Sequence, residues 1–183
     1  MICCIDSNTF IWGIKKKATS GQEDMIPRAE YLFEWLHDNK HQILIPTVVI
    51  AEVLAPEPLE KYPILMDIIN RGFMIADFDV RAASRYGQLF MNKLKESKKI
   101  AKQNSISTQK MKIDHLIISC ALIHNAACIY STDTGLRAFG QKFIDVRDLP
   151  PLPPPKLIQT KIWSETETGL SIEKNEDLEE VPF

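Results

Sequence analysis

A chain of 183 residues, 45% of them hydrophobic, has enough apolar mass for one folded domain with an appendage, which excludes global disorder. No apolar run approaches the ~20 residues of a membrane span. The N-terminal apolar run has no basic flank and meets Asp6 too early for a signal peptide, so a cytoplasmic protein without membrane contact is expected. The net charge of −2 conceals an asymmetry: residues 1–155 hold 19 Lys+Arg against 17 Asp+Glu, whereas residues 156–183 hold 3 against 7, so the tail carries the acidity.

The first predicted element is a strand, Met1–Ile5, unbroken in its apolar character as in parallel sheets covered on both faces. It delivers Asp6 to its carboxyl end, with Ser7 or Asn8 as candidate caps for a helix over Phe10, Ile11 and Ile14. Lys15-Lys16-Lys17 closes that helix. A second opens at Gly21-Gln22-Glu23-Asp24, with Ile26, Ala29, Leu32, Phe33 and Leu36 at helical spacing, and frays by His37–His41. These two histidines are four apart, but they stand at a polar helix end and are expected to be solvated.

Ile43–Pro46 is a second buried strand. Thr47 is expected to cap a helix from Val48 to Ala55, stopped by Pro56 and Pro58. Glu52 lies inside that helix among Val49, Ile50, Val53 and Leu54, an odd place for an acid unless it faces the strand ends. A helix over Tyr62–Asn70, a strand over Phe73–Ala76 and a long helix over Val80–Lys95 come next. From Lys93 to Lys112 seven lysines stand against the single acid Glu96. They interrupt at the loop Ser105–Thr108 and lead into an apolar helix over Thr108–Ala126. Asp114 opens that helix's inward stripe with Ile117, Ile118 and Ala121. His115, next in sequence, diverges from that stripe. Ala127–Tyr130 is a fourth strand ending in Ser131-Thr132-Asp133, Leu136–Phe139 a short helix, and Phe143–Val146 a fifth strand. Pro150–Pro155 ends regular structure. The domain is therefore placed at residues 1–149, with a Pro-rich linker and acidic tail at 150–183. The tail is expected to be a solvating segment, or one that folds on a partner. The four cysteines form no CxxC pair and fit no zinc spacing; they are expected to be inert core thiols.

Asp6 and Asp133 end strands, while Glu52 and Asp114 interrupt apolar helices. In a βαβ array with right-handed crossovers all four can meet at one rim. Clustered carboxylates repel unless a cation neutralises them, and oxygen-only donors favour Mg²⁺ or Mn²⁺ over zinc. Such a centre positions phosphate oxygens and activates water for in-line displacement.

In this order the segments Ile5-Asp6-Ser7-Asn8-Thr9, Ile45 to Leu54 with Glu52, Lys112-Ile113-Asp114-His115-Leu116-Ile117 and Tyr130-Ser131-Thr132-Asp133 resemble the PIN-domain nucleases, above all the VapC-type toxins of toxin–antitoxin pairs. The resemblance spans about residues 1–150. It implies an α/β fold of three layers, α/β/α, around a parallel sheet of about five strands. It also implies an Mg²⁺- or Mn²⁺-dependent endoribonuclease with Asp6, Glu52, Asp114 and Asp133 as the metal-binding, catalytic set. Asn8 and Thr132 would orient carboxylates or water. RNA would be held through Lys93, Lys98, Lys99, Lys102, Lys110 and Lys112, with Lys15–Lys17 as further candidates. An antitoxin protein and a second copy of the chain are the implied partners. The chain departs from the pattern after Asp133, where many relatives carry another acid or asparagine and this one has Thr134-Gly135-Leu136; that bears on a second metal.

Three other readings fare less well. A haloacid-dehalogenase-like phosphatase needs an aspartate where Asn8 stands. A response-regulator receiver needs a strand–Lys–Pro signal absent near the fifth strand. A PIN fold that has lost catalysis and serves an RNA-processing complex is the remaining alternative, and the presence of all four acids argues against decay.

Overall fold

The structure is a computed structural model and describes residues 1–89 and 108–154. Lys93, Lys98, Lys99 and Lys102, the loop expected at 105–107 and the tail from residue 155 lie outside the described residues. The chain divides into two units, Met1–Pro151 and Leu152–Phe183, and the first holds the sheet and its helices.

Five parallel strands form one sheet in the order β3-β2-β1-β4-β5: β1 Ile2–Ile5, β2 Gln42–Pro46, β3 Met74–Ala76, β4 Cys128–Tyr130 and β5 Asp145–Arg147. This is the expected α/β architecture, with β1 at the centre. Cys3, Cys4 and Ile5 point alternately to the two faces and all are fully buried, so helices cover the sheet on both sides. All four cysteines are free and buried.

The chain leaves β1 through a short helix, α1 (Ser7–Phe10), and a π-helical turn, Ile11–Lys15, that ends at Lys16 with a left-handed φ of 50°. That turn lies hard against α2 (Met25–Asp38): a Cβ on Gly13 would collide with the Phe33 ring, so only glycine admits this approach. Phe10 and Phe33 both pack on Phe73, with ring centroids 5.4 and 6.0 Å away. After β2 come α3 (Thr47–Leu54), a 3-10 turn Leu59–Lys61, and α4 (Tyr62–Gly72), then β3 and a helix, α5, over residues 80–89. The second half runs α6 (Thr108–Ile123), β4, α7 (Thr134–Gly140) and β5.

Three local expectations are corrected. The cap of α1 is not Ser7 or Asn8 but Asp6, whose Oδ1 accepts from the Thr9 amide at 2.8 Å. Thr47 does not cap α3; it is the first helical residue, and its hydroxyl accepts from the Phe78 amide beyond β3 at 3.1 Å. Phe143 and Ile144 are not the start of β5. Their amides both donate to the Gly140 carbonyl, at 2.8 and 3.0 Å, so they close the end of α7, and the strand begins at Asp145.

Candidate active site

The strand order fixes where a site can form. From β1 the chain moves outward through β2 and β3, then returns to add β4 on the other side of β1. The carboxyl ends of β1 and β4 therefore flank the switch point, where parallel α/β sheets open a crevice. Asp6 follows the last residue of β1, and Ser131-Thr132-Asp133 follow the last residue of β4.

Asp6 is 5% exposed. Its Oδ1 serves α1, and its Oδ2 accepts from the hydroxyl of Ser131, which is itself fully buried. Burial pushes the Asp6 carboxyl above its ordinary range. The Ser131 and Thr9 hydrogen bonds pull it down, and the charge of nearby Asp133 pushes it up again. The Ser131 oxygen also accepts from the Asp133 amide at 3.0 Å, so one hydroxyl ties the two acid-bearing segments together. Thr9 completes the joint by donating from its hydroxyl to the Tyr130 carbonyl at 3.2 Å.

Asp133 is half-buried and caps α7: Oδ1 accepts from the amides of Gly135 and Leu136 at 2.7 and 2.9 Å. A carboxylate suits that helix N-terminus electrostatically. Glu52, half-buried on α3, turns toward the end of β1, where its Oε2 accepts from the Ser7 hydroxyl. Asp114 lies on α6 at 7% exposure, and the stripe it begins is buried through Ile117, Ile118 and Ala121. α3 packs on both α1 and α6, the helix that carries Asp114.

His115 goes the other way, into the core. It is fully buried, its ring 3.8 Å from the Phe139 ring and 6.3 Å from Tyr86, and burial lowers it to about 4, so it is a neutral packing residue at neutral pH. Asn8 is exposed on α1 and Thr132 is half-buried. The hydroxyls seen holding the carboxylates are those of their neighbours, Ser7 and Ser131. Ser7 adjoins Asp6 in sequence, whereas Ser131 stands two residues before Asp133 and binds the acid of another strand, so no local signal marked it. Lys112 is exposed on the first turns of α6, and Lys110 precedes it on the same helix. Lys15–Lys17 are engaged elsewhere: Lys15 and Lys17 pair with Glu57 at 2.5 and 3.0 Å, and Lys16 pairs with Glu30 at 2.6 Å.

The donor set is all oxygen, and Asp6 is a buried acid further strained by the charge of Asp133, so a hard divalent cation fits the chemistry. Among the described residues no three His, Cys, Asp or Glu side chains are gathered tightly enough to hold one ion. Oε2 of Glu52 accepts from Ser7, and Oδ1 of Asp133 from the α7 amides.

The five-stranded parallel α/β sheet, with Asp6 and Asp133 adjacent at its switch point, is the architecture that the motif order led us to expect. No family model matches the sequence, and no curated protein matches it. Solved structures do. One is VapBC2 from Rickettsia felis bound to a DNA fragment from its promoter, with a TM-score of 0.56 and 20% identity over 82% of this chain and 100% of that one. Another is DNA-bound VapBC from Salmonella typhimurium, with a TM-score of 0.55 and 18% identity over 82% of this chain and 99% of that one. At such identity the likeness is one of fold.

Proposed function

We propose that the chain is a metal-dependent endoribonuclease acting as the toxin of a toxin–antitoxin pair. The observation that carries the reading is the Ser131 joint, which sets Asp6 and Asp133 side by side at the switch point of a PIN-like sheet. The like fold of the two VapBC complexes supports the toxin reading and an antitoxin protein as partner. A second copy of the chain is the other partner we expect.

In this mechanism Asp6, Glu52, Asp114 and Asp133 hold Mg²⁺ or Mn²⁺. Such a cation would supply positive charge to the phosphate and would make water a better nucleophile. Asp6 and Asp114, the two buried acids, fix the position of the centre. Glu52 and Asp133, more accessible, complete it and orient water. Ser7 and Ser131 hold the carboxylates in place. No histidine base is needed, and His115 is unsuited to be one because it is buried in the core and, lowered to about 4, is a weak base. RNA backbone phosphates meet the lysine-rich segment 93–112, so affinity falls steeply with salt. Water is the nucleophile, so a deoxynucleotide at the cleaved position is still cut.

The discriminating experiment is genetic. Expression of the full chain should arrest growth, Asp6→Asn should abolish the arrest, and a small cognate protein should relieve it. Harmless expression, with Asp6→Asn indistinguishable from wild type, would contradict the toxin reading and favour a PIN-fold subunit without catalysis.

A further inference from the structure

Ser131 is held from behind. Arg137 on α7 donates from Nη2 to the Ser131 carbonyl at 3.3 Å, and the same nitrogen lies 3.3 Å from Oδ2 of Asp148, just past β5. Oδ1 of Asp148 lies 3.6 Å from Nη2 of Arg28 on α2. Arg28 in turn donates to the carbonyls of Pro150, at 3.1 Å from Nε, and Leu149. A charged chain thus runs from α2 through Asp148 and Arg137 to the residue whose hydroxyl orients Asp6.

Two features set Arg137 apart from an ordinary surface ion pair, which contributes little. Its Nε is buried without an acceptor among the described residues, and an orphaned buried donor is costly. The guanidinium accepts that cost while reaching both the Ser131 carbonyl and Asp148. It also completes the fixing of residue 131: the Ser131 amide already donates to the Arg147 carbonyl at 2.9 Å, so with Arg137 on the carbonyl both of its backbone groups are pinned. Only the side-chain torsion then remains to aim the hydroxyl.

We propose that Arg137 is a positioning residue of the carboxylate site. By gripping the Ser131 carbonyl it sets the turn that aims the Ser131 hydroxyl at Asp6 and presents Asp133 beside it. The proposal rests on the reading of the four acids as a cation site. Residues that orient metal ligands typically change metal affinity about 10–100-fold when lost.

The test is Mn²⁺ binding to the full chain without RNA, followed by water-proton relaxation, with Tm measured on the same samples. Arg137→Gln should raise half-saturating Mn²⁺ by about tenfold or more. Arg137→Lys should not restore binding, because the ammonium on its shorter side chain stops short of the place that Nη2 occupies between the Ser131 carbonyl and Asp148. Arg28→Gln removes the other partner of Asp148 and should lower Tm while leaving Mn²⁺ binding unchanged. If Arg137→Gln lowers Tm and leaves Mn²⁺ binding untouched, Arg137 is a structural staple and the proposal is overturned. Equal weakening by Arg28→Gln, or full rescue by Arg137→Lys, also overturns it, the first as a general loss of stability and the second as a plain charge effect. A wild-type chain that binds no Mn²⁺ removes the site itself: the proposed function fails before any variant is compared, and this proposal fails with it.

Discussion

Asp6 keeps a carboxyl group at 5% exposure between the Ser131 hydroxyl and the Thr9 amide, beside the charge of Asp133. A group whose folded pKa is raised binds its proton more tightly in the native state, so its contribution to stability is present below the unfolded value of 3.8 and is lost as pH rises through the raised folded value. Near neutral pH and without divalent cation, the buried Asp6 carboxyl is therefore a liability. Asp6→Asn, which keeps an N-cap oxygen, should raise Tm by a few degrees at pH 7, and the gain should vanish below about pH 4. A variant that is less stable at pH 7 would show that the Ser131 bond outweighs burial. This residue was legible in the sequence because an acid at the end of an apolar strand has few structural uses. Ser131 was not: a hydroxyl after a strand reads as turn chemistry, and only the β1–β4 pairing brings it to a residue 125 positions away.

α3 shows how an element is aimed. It carries Glu52, and its C-terminal end is held by a buried clamp. Lys15, at 6% side-chain exposure, donates to the Val53 carbonyl at 3.2 Å and pairs with Glu57, which also meets Lys17 and Lys61. The bonds from Lys15 and Lys17, with that from Lys61, hold the Glu57 carboxyl at about 2 against an ordinary 4.5. For a lowered carboxylate the sign reverses: the stability it contributes is present above 4.5 and is lost as pH falls toward about 2. Glu57→Gln strands a buried Lys15, whereas Glu30→Gln frees only Lys16, whose side chain is 67% exposed. Thermal melts at pH 7 should show a much larger loss for Glu57→Gln, and the difference should shrink toward pH 2. Equal losses would mean that Lys15 reaches water without help. The prolines at 56 and 58 marked a helix stop in the sequence, and nothing local distinguished Glu57. Its three lysines come from the π-helical turn, the residues just after it and the 3-10 turn, and a π-helical turn departs from the spacing by which helical faces are read. The early start expected for β5 has a similar cause: Phe143 and Ile144 are apolar because they pack at the end of α7, not because they pair with β4.

At the scale of the molecule, strand order is what brings Asp6 and Asp133 together. Alternating apolar runs and helical periods sufficed to name five parallel strands, and parallel strands require crossovers that leave their carboxyl ends on one rim. The placement of β4 beside β1, rather than beyond β3, could not be read from periodicity, yet it puts Asp6 next to Asp133. Among the described residues no helix is long and apolar enough to cross a membrane, in keeping with the hydropathy of the sequence. If the four acids act together on one cation to hydrolyse RNA, the rate of RNA cleavage must depend both on that cation and on each buried ligand. The decisive assay measures this rate for the full chain with Mn²⁺ or Mg²⁺, with and without chelator, beside the Asp114→Asn variant. Loss of a buried ligand should remove several kcal/mol of transition-state stabilisation, a fall of about 100-fold or more. A four-acid centre predicts that fall together with complete inhibition of the wild type by chelator; cleavage that persists without metal, or an Asp114→Asn variant as fast as wild type, would contradict it.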